Sequence, residues 1–158
     1  MNRSEFVFAA LAAARKSSAT SGLWPGVTVA QAALESGWGE SQLSLQANNY
    51  FGIKAHGRSP MAEIEFPTWE SINGQMERVI ARFAKYESMA ECFKDRDRIL
   101  TTLSCYRLVG ALDAEGSMKE LAKHWATDPQ YAEKLIGIYR AQGLYKSDEE
   151  WKKEGITK

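Results

Sequence analysis

The sequence predicts an α+β fold in which a mainly helical lobe carries one small inserted β-hairpin lobe. Most of the chain has apolar residues at helical spacing, whereas residues 61–86 contain two segments of alternating apolar and charged side chains. Asn73-Gly74 lies between those two segments, and this dipeptide is a strong hairpin signal. A helix over 75–86 is the alternative. With the hairpin, the two lobes would face each other across a cleft.

Six further segments have helical patterns, and several have clear start or end signals. Pro25 suits the first position of the second helix, and Gly37 and Gly39 end it. Asp128 and Pro129 suit the cap and first position of a later helix. The expected helices span 4–20, 26–36, 40–46, 88–103, 117–126 and 129–142, with a loop over 47–57 and a solvated or frayed tail from about 147.

The N-terminal segment allows two interpretations. The apolar run from Phe6 to Ala14 resembles a secretory signal, but it is short and alanine-rich, and Glu5 lies where such signals are positively charged. We therefore expect the first helix of the fold, capped by Ser4. Its expected apolar face consists of Phe6, Phe8, Leu11 and Ala12.

Length and charge limit the classes of function. The 158 residues suit one domain over 1–158. Twenty basic and twenty acidic side chains cancel, so no global field favours nucleic acid, and no apolar stretch is long enough for membrane insertion. We expect a monomer. Five Trp, six Tyr and six Phe suit a sugar-binding groove as well as a core.

The cysteines and histidines indicate neither a metal nor a cofactor. Cys92 and Cys105 have no metal-ligand spacing; we expect buried free thiols, with a disulfide as the alternative. His56 and His124 are isolated, which argues against a catalytic or metal-binding role.

Glu35 stands out within Ala30–Ser41, which reads AQAALESGWGES. It lies on the last turn of an apolar helix, where the helix dipole disfavours negative charge. An ordinary solvated glutamate is the alternative for an acid at this position.

Four segments resemble the glucosaminidase family of bacterial peptidoglycan hydrolases (glycoside hydrolase family 73), which contains autolysin domains and the flagellar rod-cap hydrolase. Three of them, each modest alone, are together strong evidence because they occur in the family's order. The fourth, RFAKY, resembles the family's FRxY with the Arg on the other side of Phe83. Tyr50 stands where Leu is usual, and Trp125 where Tyr is common. The segments are AQAALESGWG (30–39), NNYFGIKA (48–55), RFAKY (82–86) and ATDPQYAEKL (126–135).

The resemblance implies a lysozyme-like fold and hydrolysis of peptidoglycan glycan strands after N-acetylglucosamine, without cofactor or metal. It implies that Glu35 is the general acid, a role that burial and the helix dipole would favour by raising its pKa. The second carboxylate is Glu70, since Thr68-Trp69-Glu70 matches the family pattern; Glu65 is the next candidate, ahead of Glu63 and Glu77.

Six further residues are candidates for substrate binding. Tyr131 matches the Tyr of the family's ATDPxYA segment and would hold the acetamido group. Phe51 and Trp38 could instead be core residues, and Lys54 could instead be a solvated cation in the loop. The substrate-binding set is Trp38, Asn49, Phe51, Lys54, Trp125 and Tyr131.

Other functions on the same scaffold stay open at this point. Cleavage after N-acetylmuramic acid, by hydrolysis or by lytic transglycosylation, is one alternative, and a non-catalytic peptidoglycan-binding module is another. Without a convincing signal, the chain suits a phage endolysin or a delivered toxin that reaches the cell wall by another route.

Overall fold

A computed structural model describes residues 1–55 and 62–157, so His56, for which a catalytic or metal-binding role is not expected, lies outside the described residues. Over these ranges the chain forms helices and one antiparallel β-hairpin, which follows the third helix. The elements are α1 (Arg3–Ser21), α2 (Pro25–Ser36), α3 (Gln42–Ala47), β1 (Ala62–Ile72), β2 (Gln75–Lys85), α4 (Met89–Thr102), a 3₁₀ turn (Ser104–Tyr106), α5 (Ala114–Trp125), α6 (Tyr131–Ala141) and α7 (Leu144–Thr157).

The hairpin is confirmed, and the helical alternative for 75–86 is wrong. Its register runs without interruption from the pair Ala62–Lys85 to the pair Ile72–Gln75, so Pro67 introduces no bulge. Both turn residues have positive φ, 52° at Asn73 and 80° at Gly74, which a two-residue turn of the primed type requires.

The base of the hairpin is attached to the loop that follows α3. The Ala84 amide donates to the Ile53 carbonyl at 3.0 Å, and the Ala55 amide donates to the Arg82 carbonyl at 3.0 Å. The loop thus forms an isolated antiparallel β-bridge with β2, in which Lys54 pairs with Phe83. Farther from this base, the hairpin's side chains are half-buried or exposed.

Helix α2 is buried over nearly all of its surface and begins at Pro25 as expected. Asp148 of α7 receives a hydrogen bond from the Gly26 amide at 2.7 Å and another from the Tyr139 hydroxyl at 2.9 Å. A Cβ at position 26 would lie 2.7 Å from the Asp148 carboxylate, so glycine is required there. Burial raises the pKa of Asp148 to about 6.

Two expectations for α1 are wrong. Asn2 caps the helix rather than Ser4, because Asn2 and Glu5 form a reciprocal capping box. Phe8 is 81% exposed, since a helix turns by about 100° per residue and places Phe8 far from the direction of Phe6. The buried face consists of Phe6, Ala10, Ala13 and Ala14 together with Ser17 and Ser18.

Three other helix starts differ from the expected ones, two of them because of capping side chains. Ser41 caps α3, and Asp113 caps α5 by accepting from the Gly116 amide at 2.8 Å, so α5 begins at Ala114 rather than 117. Asp128 does not cap α6. It forms a turn before the helix, accepting from the Gln130 amide at 2.9 Å, and α6 begins at Tyr131.

Both cysteines are free, so the disulfide alternative is wrong. Cys92 is buried against the core as expected, and burial raises the pKa of its thiol to about 12. Cys105 is exposed, contrary to expectation, because it lies in the 3₁₀ turn at the surface.

The helical lobe has a continuous apolar core, to which α1, α2, α4, α5 and α6 contribute. None of the helices in the described part of the chain has the length and apolar character to cross a membrane.

Candidate active site

Glu35 lies on the last turn of α2, half-buried, directly before the chain turns at Gly37 with φ of 57°. The hydroxyl of Tyr131, at the start of α6, donates a hydrogen bond to Glu35 Oε1 at 2.6 Å. Burial raises the pKa of Glu35, and the hydroxyl opposes this effect to a smaller extent. The negative end of the α2 dipole also favours the protonated form. This environment suits a carboxyl that donates a proton near neutral pH.

Glu70 and Lys54 come together on the inner face of the hairpin, which is the face of β1 that carries the half-buried residues 64, 66, 68 and 70. The Lys54 ammonium forms an ion pair and hydrogen bond with Glu70 Oε1, with side-chain exposures of 42% for Lys54 and 34% for Glu70. Lys54 reaches this position because the 53–55 segment lies alongside β2. Glu70 therefore has a fixed cation on one oxygen.

The two faces of β1 differ in exposure. Residues 64, 66, 68 and 70 are half-buried, while the alternate residues are exposed. Glu63 and Glu65 lie on the outer face, where each is within 3.8 Å of the exposed Arg82 guanidinium. Because β1 has no bulge, Glu70 keeps the inner face that the alternation predicts for it.

The carboxylate of Glu77 shares this inner face. Glu77 pairs directly with Glu70 across the hairpin, and directly opposed residues of antiparallel strands lie on the same face. Two like charges at this spacing destabilise the pair, and Lys54 offsets that effect at Glu70.

Asn49 shapes the loop that carries Lys54. Its side-chain amide donates to the carbonyls of Ile53 and Ala84, each at 2.9 Å. Its carbonyl oxygen accepts from the amides of Phe51 and Ile53 at 3.3 and 3.1 Å. These four bonds use the full capacity of an asparagine side chain. Any contribution of Asn49 to substrate binding must therefore come through the loop that it shapes.

Phe51 and Trp125 lie together, with ring centroids 6.3 Å apart. Phe51 is buried in the core against Phe93, whereas Trp125 is half-buried and also contacts the ring of Tyr106. Both rings line an open cavity of about 430 Å³, which Lys54 also borders.

Trp38 lies on the side of the helical lobe formed by α1. Its ring packs edge-on against Phe6, with centroids 6.2 Å apart, and the Arg3 guanidinium lies 4.5 Å above it. Thus the structure groups the candidates into Glu35 with Tyr131, Glu70 with Lys54, and Phe51 with Trp125. Trp38 and Asn49 make their described contacts outside these pairs.

A mainly helical domain with one inserted hairpin, a half-buried glutamate ending a helix and a second carboxylate on the hairpin define the lysozyme-like class of glycosidase domains. The chain belongs to the glucosaminidase family, whose model, described as mannosyl-glycoprotein endo-beta-N-acetylglucosaminidase, matches residues 11–144.

Relatives of known name support this membership. The chain is 35% identical over 133 residues to exo-glucosaminidase LytG of Bacillus subtilis, covering 79% of this chain and 46% of LytG. It is 36% identical over 150 residues to the peptidoglycan hydrolase FlgJ of Pseudomonas aeruginosa, covering 90% of this chain and 38% of FlgJ. The chain thus spans less than half the length of these relatives.

A solved structure supports the fold. The catalytic domain of the autolysin Auto from Listeria monocytogenes superposes with a TM-score of 0.83 at 30% identity, covering 92% of this chain and 87% of that domain. The expected lysozyme-like fold is confirmed.

Two features near these carboxylates were not predicted from the sequence. Glu77 is a candidate by sequence, but its position opposite Glu70 follows from the hairpin register. Gln31 and Arg96 are fully buried polar residues behind Tyr131. A glutamine one turn before Glu35 was the available signal for Gln31. Arg96 gave none, since arginine in a helix is ordinarily exposed.

Proposed function

We propose that this domain hydrolyses peptidoglycan as an endo-β-N-acetylglucosaminidase, cutting the glycan strand after N-acetylglucosamine. The observation that carries the proposal is the half-buried Glu35 with the Tyr131 hydroxyl on Oε1. Membership of the glucosaminidase family, and the names of the relatives, support the same substrate. The domain would act on the bacterial cell wall.

In this proposal Glu35 donates its proton to the glycosidic oxygen as the bond to the anomeric carbon breaks. The leaving strand departs with a hydroxyl, and water adds to the anomeric carbon of N-acetylglucosamine. A protonated Glu35 is available near neutral pH because burial raises its pKa. The Tyr131 hydroxyl then stabilises the carboxylate that remains.

Glu70 is the second carboxylate of the proposal. It would activate the attacking water, or stabilise the positive charge that develops on the sugar ring. Lys54 holds the carboxylate in place and leaves Oε2 for either role. Assistance by the substrate's own 2-acetamido group is a third route, and in that route Glu70 would orient or stabilise rather than attack.

The aromatic residues would bind the glycan strand. Trp125 is half-buried beside the open cavity, so part of its ring is available for stacking on a sugar. Phe51 supports Trp125 from the core. Tyr131 would face the acetamido group, and Trp38 stays a candidate for a more distant sugar.

Product analysis tests the bond that is cut. Purified peptidoglycan is digested with wild-type protein and with Glu35→Gln, the products are reduced with borohydride, and the terminal alditol is identified by mass spectrometry. We expect N-acetylglucosaminitol ends with wild-type protein and none above background with Glu35→Gln.

The same measurement separates the alternatives. N-acetylmuramitol ends would indicate a muramidase, and 1,6-anhydromuramic acid, which borohydride does not reduce, would indicate a lytic transglycosylase. Binding to insoluble peptidoglycan without release of fragments would indicate a binding module. Each of these three results would overturn the proposal.

A further inference from the structure

A buried chain of hydrogen bonds leads from Arg96 on α4 to Glu35. Arg96 Nε donates to Gln31 Oε1 at 2.8 Å, and Gln31 Nε2 donates to the Tyr131 hydroxyl at 3.3 Å. Tyr131 then donates to Glu35 Oε1 at 2.6 Å. Gln31 is 0% exposed and Arg96 is 1% exposed, so water does not compete at these links.

The chemistry of arginine fixes the direction of every bond in this chain. A guanidinium has donors and no acceptor, so Gln31 must turn its carbonyl oxygen toward Arg96. The amide NH₂ of Gln31 then faces Tyr131, and the tyrosine oxygen must accept there. The single hydroxyl proton of Tyr131 is left for Glu35 Oε1.

Arg96 is held in place independently of Gln31. Its Nη1 donates to Thr28 Oγ1 and to Asp97 Oδ1, each at 2.8 Å. Asp97 Oδ2 in turn accepts from the hydroxyls of Ser17 and Ser21 on α1 at 2.6 and 2.7 Å. Helices α1, α2 and α4 thus fix the guanidinium before it contacts Gln31.

We infer that Arg96 is a positioning residue for the acid: through Gln31 it directs the Tyr131 proton to Oε1 of Glu35, so that Oε2 is the oxygen that carries the proton for transfer. The inference rests on the proposed function, since it assigns the reactive oxygen of the same carboxyl. None of these hydrogen bonds joins Arg96 directly to Glu35 or Tyr131, and the Gln31 amide connects them.

Three helices contribute the groups of this chain. Glu35 and Gln31 belong to α2, the Tyr131 hydroxyl comes from α6, and the Arg96 and Asp97 charges come from α4. The Tyr131 hydrogen bond lowers the pKa of Glu35 against the larger effect of burial. A change that releases Gln31 lets its oxygen turn toward Tyr131 and compete for the hydroxyl proton. The pKa of Glu35 must then rise.

Arg96→Lys is the sharpest variant, because it keeps the buried charge but cannot reproduce the guanidinium fork. The pKa of Glu35 is measured by ¹³C NMR of the glutamate carboxyl carbons, and the alkaline limb of the pH–rate profile is recorded on peptidoglycan. We expect both to move upward by about 0.5–1 pH unit. We also expect kcat to fall about tenfold with KM within about twofold.

Two further variants isolate the path. In a Tyr131→Phe background, Arg96→Lys should leave the pKa of Glu35 unchanged, because the link is already absent. Ser117→Ala is the matched control: it also removes a buried side-chain hydrogen bond, from the Ser117 hydroxyl to the Val109 carbonyl, but Ser117 belongs to α5 and lies outside the chain from Arg96 to Glu35. It should leave the pKa of Glu35 and the kcat at wild-type values. Circular dichroism confirms folding of each variant.

Two results would overturn the inference: an unchanged pKa of Glu35 in folded Arg96→Lys, or an equal shift with and without the Tyr131 hydroxyl. If Arg96→Lys does not fold, Gln31→Met removes the middle link instead. The Tyr131 oxygen then loses its donor and the hydroxyl becomes a weaker donor to Glu35, so a smaller upward shift with the same dependence on Tyr131 is expected. The NMR titration needs no substrate. Its outcome is therefore separate from failure of the proposed function, which would appear as an absence of N-acetylglucosaminitol products.

Discussion

Glu35 and Glu70 differ in burial, in partner and in the element that holds them. Glu35 ends a helix that the core surrounds, and its partner is the neutral hydroxyl of Tyr131, which also accepts a hydrogen bond from the buried Gln31. Glu70 lies on a half-exposed hairpin, and its partner is the half-exposed ammonium of Lys54. The first environment raises the pKa of the carboxyl, whereas the second places a cation against one oxygen of Glu70. The proposed function uses this difference, with Glu35 as the proton donor and Glu70 as the second carboxylate.

The largest expected effect is at the buried carboxyl. Glu35→Gln keeps the size of the side chain but removes the proton donor, so we expect kcat on peptidoglycan to fall by about 10²–10⁴ with little change in melting temperature. Initial rates of fragment release measure this. A variant that keeps more than about a tenth of wild-type activity would contradict the role of Glu35.

The hairpin should open more easily than the helical lobe. It is joined at its base by a few backbone hydrogen bonds, whereas α2 is enclosed by the core. We expect amides of β1 and β2 beyond the base to exchange with solvent roughly a hundredfold faster than amides in the middle of α2. Hydrogen exchange followed by mass spectrometry measures both regions in one sample. Equal protection of the amides in the two regions would contradict the expected difference in rigidity between the hairpin and α2.

At the hairpin carboxylate we expect a smaller loss than at Glu35. Glu70→Gln should lower kcat by about ten- to a hundredfold at unchanged melting temperature, because it removes the charge on the inner face. Glu65→Gln is the matched control, since it makes the same change on the same strand but on the outer face. Its rate should stay near wild type. If Glu65→Gln is the inactive variant, the second carboxylate has been assigned to the wrong face.

The smallest effect concerns the opposite end of α2. Burial raises the pKa of Asp148 from 3.8 to about 6, so this group favours the folded state fully below about pH 3.8, and its contribution is lost as pH rises through about 6. The free energy of unfolding should fall by about 2 kcal/mol from pH 4.5 to pH 8 through this group. Asp148→Asn should show a correspondingly smaller fall in urea unfolding. An equal fall in the free energy of unfolding between pH 4.5 and pH 8 for wild type and Asp148→Asn would contradict this role of Asp148.

The sequence could predict those structural features that a few neighbouring residues determine. Pro25 marks the start of α2 because the proline ring fixes φ. Gly37 marks its end and Asn73-Gly74 sets the hairpin register, because these residues adopt positive φ. Asp128 shows the limit of such local signals. The same side chain can cap a helix or form a turn before one, and the helix begins two residues later in the second case.

The candidate site was predictable only in part for a related reason. Glu35 and Glu70 were found from motifs, whereas the partner of each comes from another part of the chain. Tyr131 lies 96 residues beyond Glu35, and Arg96 lies 65 residues beyond Gln31. Nothing in the local sequence distinguishes a buried arginine from a solvated one, so the chain of bonds behind Glu35 required the packing of three helices.

The two thiols make this protein suitable for site-specific labelling without removal of a native cysteine. A maleimide reacts with an exposed thiolate, and Cys92 is buried with a pKa raised to about 12, whereas Cys105 is exposed. Cys105 is adjacent to Tyr106, which lines the open cavity beside Trp125. A spin label there, paired with a second label on Ser71→Cys near the hairpin turn, would report the distance between the two lobes as glycan fragments are added.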